Sequence, residues 1–495
     1  MIPDDFVAAL DPFPTLMDRI HVMAERPVRR PARYVLCWIQ QALRCDQNPL
    51  VEAAQAIGNA LGLPVLVYHG ISQTYPHASD RLHWMLLGGS REMARGLSER
   101  GIRTVCHVVR PGHVEKGLVY RLADHAACVV LEDHPTFVAS WQSRSFAAKA
   151  DCPVLAVDAA RLVPYRTLPA GLRTTKAFRK ASGERRASYL DGIPRTEVPC
   201  PPYDGPLPFT PTQIEEADDA SLSTLMKACD IDHSLPVCEA HPPSRKVALN
   251  RMERFVAQSL ARYKWERNNP ASPHAGSELS PYLHFGMIAP WEVAAAVRAS
   301  NVHAAAKWKF LDELLTWREW FHYQALHMPG FERFETLAAR PRDSLLAHAD
   351  DPRETLYSMD ELLHGRTEDE TWNAAQRQWL LDGYMHNNLR MYWGKKLIGW
   401  TPDPETAWNV ACYINDRISL DGRDPATYGN MRWCFGDARP AYREAAVYGW
   451  VAPKTDRALR KRTGVPEWLS RMASREGPRI DAPNAYPDAP RPSLD

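Results

Sequence analysis

"RYVLCWIQQALRCDQNPLVEAAQAIGNALGLPVLVYHG", residues 33–70, decides the fold class. Its ends, "RYVLCW" and "LPVLVYHG", are short apolar runs rich in β-branched residues, and "NPLVEAAQAIGNALG" between them has helical spacing. Strand, helix, strand at this rhythm is a βαβ unit. The pattern continues through "IRTVCHVV" (102–109), "ACVVLED" (127–133) and "CPVLAVDA" (152–159), with the helical "SDRLHWMLLGGSREMARGLSERG" (79–101) among them. The runs are apolar throughout, as strands covered on both faces must be. The expectation is an α/β N-terminal domain over residues 30–165, built on a parallel, Rossmann-like sheet. No G-x-G-x-x-G follows the first strand, so the dinucleotide fingerprint is absent.

Downstream the character changes. Residues 166–245 carry recurrent prolines ("VPCPPYDGPLPFTPTQ", 198–213) and an acidic cluster ("EEADD", 215–219), and read as a long interdomain linker. From 246 to 470 strand signals nearly vanish and helical periodicity takes over, as in "KVALNRMERFVAQSLARY" and "WKFLDELLTWREWFHYQAL". Tryptophan is concentrated there: only Trp38, Trp84 and Trp141 precede residue 265. This segment is expected to form an all-α domain. Residues 471–495, polar and proline-rich, read as a disordered tail.

Composition excludes several classes. Net charge is +1, so the whole molecule is no electrostatic nucleic-acid binder, although local basic faces remain at 173–180, 183–188 and 456–462, each equally readable as a solvated surface. No stretch approaches the roughly 18 apolar residues that cross a bilayer. The opening "MIPDDFVAALDPFP" carries acids where a secretory signal needs a basic stretch and an apolar run. The ten cysteines show no C-x-x-C and no metal-ligand spacing, and Cys37, Cys106 and Cys128 sit in apolar runs that suit buried reduced thiols. A cytoplasmic protein with no membrane partner and no metal is expected.

Three stretches carry chemistry. In "GSELSPYLHFG" (276–286), Ser280 before Pro281 marks a helix entrance. Free N–H groups there, with Gly276 and Ser277 beside them, make either a phosphate seat or simply a well-capped helix. In "YINDRISLDGRDPATYGNMRW" (413–433), "DGRDP" is turn chemistry. Asn415, Asp416, Asp421, Arg423 and Asp424 form either an exposed loop or a buried polar set, with Arg390 as a partner for Asp421. In "WNAAQRQWLLDGYMHNNLRMYWGKKLIGW" (372–400), Trp393 and Trp400 are seven apart and share a helix face. Such aromatics serve as core, or as an electron relay if an acceptor such as a flavin lies near.

These motifs carry a resemblance. "SELSPYLHFG", "FLDELLTW", the 372–400 stretch and "NDRISLDGRDPATY" are similar to the helical flavin domain of DNA photolyases. "MYWGKK" and "LDGRDP" resemble the class II cyclobutane pyrimidine dimer photolyases in particular. The first half matches more loosely, through "YVLCWIQQALRCDQNPLVEAA" and "CPVLAVDAARLVP", and the likeness runs to about residue 450.

The resemblance implies light-driven repair of pyrimidine dimers in damaged DNA by a monomeric lyase using reduced FAD, with a deazaflavin or folate as a possible antenna chromophore. It implies that Ser277, Leu279 and Ser280 hold the FAD phosphates, that Tyr263 lines the FAD site, and that Arg390, Asp421 and Gly422 lie beside the isoalloxazine. Asn415 would face flavin N5. Glu313 would hydrogen-bond the dimer, with Trp317, Trp433 and Met391 packing against its flipped bases. Trp393, Trp372 and Trp400 would form the chain that photoreduces oxidised flavin, leaving Trp379 as packing. After Trp433 the family continues His-Asp-Arg, whereas this chain reads "CFGDARPAYREAAVYGWV", so Arg439 and Tyr442 stand in for the groups that fill the hole in the duplex. The competing reading is a cryptochrome-like photoreceptor that keeps the flavin and the tryptophans but repairs nothing.

Overall fold

The structure, a computed structural model, describes residues 2–489. The chain divides into two compact units. The first comprises residues 2–231, Pro243–Asn250 and Tyr282–Arg298; the second comprises Asp232–Pro242, Arg251–Pro281 and residues 299–489.

The first unit is built on a six-stranded sheet. Its strands are β1 (Ile20–Ala24), β2 (Tyr34–Trp38), β3 (Val65–Ile71), β4 (Arg103–Val108), β5 (Ala126–Glu132) and β6 (Val154–Val157), in the order β1-β6-β5-β2-β3-β4. All neighbours are parallel except β1, which runs antiparallel to β6 at the edge. Every residue of β2, β5 and β6 is buried, which is why these strands read as unbroken apolar runs. β1 lay outside the expected domain start because only Ala24 of its five residues is fully buried. The helix Pro49–Leu61 joins β2 to β3; Asn48 caps it by accepting from the Leu50 N–H, and Gly62 ends it at φ 65°.

At the end of β2 the N–H groups of Gln40, Gln41 and Ala42 converge on one Glu132 carboxylate oxygen at 2.8, 2.7 and 2.7 Å. This is the point where the strand order reverses, the usual ligand crevice of an open α/β sheet. Here the fold supplies its own carboxyl oxygen to the nest of N–H groups.

The stretch 166–245 is not a free linker. Residues up to 231 belong to the first unit and 232–242 to the second. It carries the helices Thr175–Gly183 and Asp219–Lys227, and it is anchored by buried Tyr203, Phe209, Ile214 and Leu222. Tyr203 packs edge-on to Tyr34 at 4.8 Å, and Thr212 bonds to Cys106 and Val108, covering the edge strand β4. Sparse anchors among prolines leave no periodic signal in the sequence.

The second unit is helical. Its centre is formed by Glu319–His327, Glu370–Asp382, Asn387–Trp400, Pro404–Ile418 and Pro425–Cys434. Gly383, at φ 62°, ends one of these helices and the chain turns through Tyr384–His386 into the next. The boundary at 246 shifts as well: Pro243–Asn250 and Tyr282–Arg298 group with the first unit.

Residues 471–489, expected as disordered tail, are pinned to the second unit. The helix Val465–Ala473 covers the start, Ile480 is buried, the Arg417 guanidinium donates to the Asp481 carbonyl, and the Tyr486 hydroxyl donates to the Tyr357 carbonyl at 2.7 Å. Residues 490–495 lie outside the described residues. Among the described residues no helix is long and apolar enough to cross a membrane.

Candidate active site

A cavity opens within the second unit. Tyr263 and Arg267 form one side, the turn Gly276–Ser280 a second, Glu313 and Trp317 a third, and Tyr384–Asn387 with Arg390 and Asp421 close it. The turn reaches inward because Glu278 adopts φ 53°, a left-handed conformation that costs a non-glycine residue on the order of 1 kcal/mol. Arg251 pairs with Glu278 at 2.6 Å and holds it there. Ser277, Leu279 and Ser280 thereby line the cavity at the entrance of the short helix Ser280–His284.

The opposite wall is ionic. Arg390 and Asp421 pair at 2.9 Å, both largely buried, and the Ser419 hydroxyl donates to the same Asp421 oxygen at 2.6 Å. Burial works against the Asp421 carboxylate, but Arg390 and the hydroxyls of Ser280 and Ser419 outweigh it and hold Asp421 below the usual carboxylate range. The rest of "DGRDP" folds back on the preceding helix. A Cβ on Gly422 would lie 2.4 Å from the Asn415 carbonyl oxygen, so only glycine fits. The Arg423 N–H bonds Asp416 at 2.8 Å, and Asp424 caps the helix Pro425–Cys434. Asn415, Asp416, Arg423 and Asp424 are all buried, which decides for the polar set and against the exposed loop.

Asn415 is wholly buried. Its amide nitrogen donates to the Ala411 carbonyl at 2.7 Å, while its side-chain oxygen has no partner, an arrangement that leaves an acceptor for a group not of this chain.

Glu313 begins a π-helical turn, Glu313–Arg318, a distortion frequent at functional sites. It pairs with Arg267 at 2.8 Å and with Lys309, and it shares the cavity wall with Trp317. Tyr263 packs edge-on to Phe255 and Phe310 at 5.8 and 5.2 Å; burial, then the Glu313 carboxylate, push its phenol up to about 12.

The structure brings Tyr263, Ser277, Leu279, Ser280, Glu313, Trp317, Arg390 and Asp421 to one cavity. It does not bring Asn415, Gly422, Met391, Trp433 or Arg439 into that lining. Met391 is buried with its sulfur 3.7 Å from that of Cys434. Trp433 is half-buried, with the Arg439 guanidinium 4.6 Å and the Lys395 ammonium 5.7 Å from its ring centre. Sequence reasoning missed Arg267, Tyr384 and His386. Arg267 closes the stretch "RYKWER" that already held Tyr263, and its charge near Glu313 was the available signal. Burial lowers His386 to about 4, so it is a neutral cavity wall at physiological pH.

The tryptophans form a contiguous row. Trp372 stacks on Trp393 at 5.7 Å and 10°, and meets Trp400 edge-on at 5.3 Å. The Trp372 indole N–H donates to the Trp393 carbonyl at 3.1 Å, and that of Trp393 to the Gln376 side chain at 2.8 Å. Trp372 and Trp393 are fully buried and Trp400 is half-buried. Trp379 extends the row inward: it meets Trp393 at 5.2 Å, and the Arg390 guanidinium lies 5.0 Å from its ring centre.

Comparison with known proteins gives a concordant picture. A family model described as DNA photolyase matches residues 35–202. The chain is 30% identical over 445 residues to the deoxyribodipyrimidine photo-lyase of Methanothermobacter thermautotrophicus, covering 89% of this chain and 94% of that one. Its fold is similar to the Synechocystis cryptochrome (TM-score 0.68, 17% identity, 90% of this chain and 89% of that one). It is also similar to an archaeal photolyase from Sulfolobus tokodaii solved with two FAD molecules (TM-score 0.56, 15% identity, 90% and 97%).

Proposed function

Because the chain belongs to the DNA photolyase family, we propose that it is a deoxyribodipyrimidine photo-lyase that repairs cyclobutane pyrimidine dimers in DNA, using light and a reduced FAD. The observation that carries this reading is the single cavity in which Glu313 and Trp317 face the hydroxyl-bearing turn at Ser277–Ser280 and the Arg390–Asp421 pair.

The residues fit the cofactor. Ser277 and Ser280 offer hydroxyls to its phosphates, with Leu279 and Tyr263 as apolar walls. Arg390 and Asp421 would hold its ring system, and the buried Asn415, whose side-chain oxygen has no partner in the chain, would offer it a neutral amide. Held by these residues, reduced FAD would supply light-driven one-electron chemistry for opening the cyclobutane ring.

The chain's own groups do the rest. Trp317 offers an aromatic face to an extruded base, while the half-buried Trp433 supplies apolar surface outside the cavity lining, backed by the buried Met391 and Cys434. Glu313, oriented by Arg267 and Lys309, hydrogen-bonds the base edges. Arg439, exposed just after the helix Pro425–Cys434, enters the gap left in the duplex. Trp400, Trp372 and Trp393 pass electrons inward to restore the reduced cofactor. The motif set favours the class II type, with any deazaflavin or folate antenna held by the α/β unit.

The test is binding in the dark. Protein purified with its flavin should release FAD on acid denaturation and should hold a dimer-containing oligonucleotide more tightly than the undamaged one. FAD without lesion preference would favour the photoreceptor reading.

A further inference from the structure

The tryptophan row ends at a second cavity, separate from the one above. Trp400 forms part of the wall of a space of about 710 Å³ within the second unit, large enough for a small molecule. Tyr357 meets Trp400 edge-on at 5.2 Å beside it. Of the three tryptophans in the path Trp393–Trp372–Trp400, only Trp400 is reachable from solvent. Any electron entering the row from outside therefore enters here.

The walls are charged. Three cations (Arg353, Lys396 and Arg460) face five carboxylates, leaving two negative charges in excess. Lys396 pairs with Asp369 at 2.8 Å, and Arg460 pairs with Glu370 and Asp456. Among the described residues Glu354 and Glu368 are in no ion pair, and Arg460 is shared by two carboxylates, while Arg353 donates only to backbone carbonyls. The Lys396 ammonium also sits 5.3 Å from the Trp400 ring centre.

We propose that this cavity is the docking site of the external donor that recharges the row, and that it admits small thiols that are uncharged or cationic in preference to anionic ones. The proposal rests on the reading of Trp393–Trp372–Trp400 as an electron path. In the step, a Trp400 that has given one electron inward takes one from the docked thiol. The S–H proton passes to water, leaving a thiyl radical, and two such radicals combine to a disulfide. One thiol is consumed per electron.

The experiment follows flavin bleaching under steady blue light at low ionic strength, with cysteamine, dithiothreitol or 3-mercaptopropionate as donor. Each donor is compared with itself across the intact protein, Glu354→Gln/Glu368→Gln and Trp400→Phe. Removing two nearby carboxylates should slow bleaching by cysteamine about 3-fold and speed it with 3-mercaptopropionate, both effects vanishing at high salt. Thr355→Phe, which narrows the cavity with a ring that is not oxidised by tryptophan, should abolish saturation by dithiothreitol. If both variants leave all three donors unchanged while Trp400→Phe still blocks bleaching, the docking site is wrong and the path stands. If Trp400→Phe bleaches as fast as the intact protein with every donor, the path itself fails and the docking site with it.

Discussion

The indoles of Trp372 and Trp393 lie parallel, their centroids 5.7 Å apart and their planes within 10°, although they stand on two different helices. The hydrogen bond from the Trp372 indole to the Trp393 carbonyl fixes that overlap. Parallel rings at this distance suit electron exchange, and the half-buried Trp400 gives the pair an outlet.

Trp393→Phe should therefore abolish most photoreduction of oxidised flavin, while dimer repair by protein reduced chemically beforehand stays close to normal. Both are read on the same sample by flavin absorbance and by product formation. Equal loss of both would remove the relay role.

Arg390→Ala leaves the Asp421 carboxylate buried without its main partner, and should cost about 3 kcal/mol of stability along with flavin retention. Asp421 is held below the usual carboxylate range in the folded protein, so its contribution is complete at neutral pH and is lost as pH falls through that depressed value. Thermal unfolding against pH should show Asp421→Asn losing this part of the acid limb.

Glu313→Gln keeps the size of the side chain but removes its charge. Dimer affinity in the dark should change little, and the repair rate per absorbed photon should fall about 10-fold, the scale of one charge-assisted hydrogen bond. A matching fall in affinity would make Glu313 a binding group only.

Lys454 reports on the basic cluster near Trp433. Burial, with Lys395, Arg439 and Arg462 nearby, depresses it to about 8. A lysine with a lowered value loses its charge as pH rises through 8, so affinity for DNA should weaken from pH 7 to 9. Lys454→Met should flatten that dependence in a binding titration at constant salt.

The sheet was legible because β2, β5 and β6 are buried at every residue and β3 and β4 at most of theirs. β1 was not, because an edge strand with one buried residue has no such signature. The 166–245 segment and the tail were misread for a shared reason: Tyr203, Phe209, Ile480 and Tyr486 act as isolated anchors whose partners are distant in sequence. In the site, spacing placed Trp393 and Trp400 on one face, but the insertion of Trp372 between them is tertiary. The burial of "DGRDP" could not be read either, since the same letters make a surface turn. It follows from the contacts of Asp421 with Arg390, of the Arg423 N–H with Asp416 and of Asp424 with His322 at 3.3 Å.

The measurement that tests the central claim most directly is illumination of the chemically reduced protein with an oligonucleotide carrying a single thymine dimer. Thymine absorbance should return under blue light and stay flat in the dark, with the repaired strand recovered intact. Flavin that bleaches and recovers normally while the dimer persists under light would contradict it.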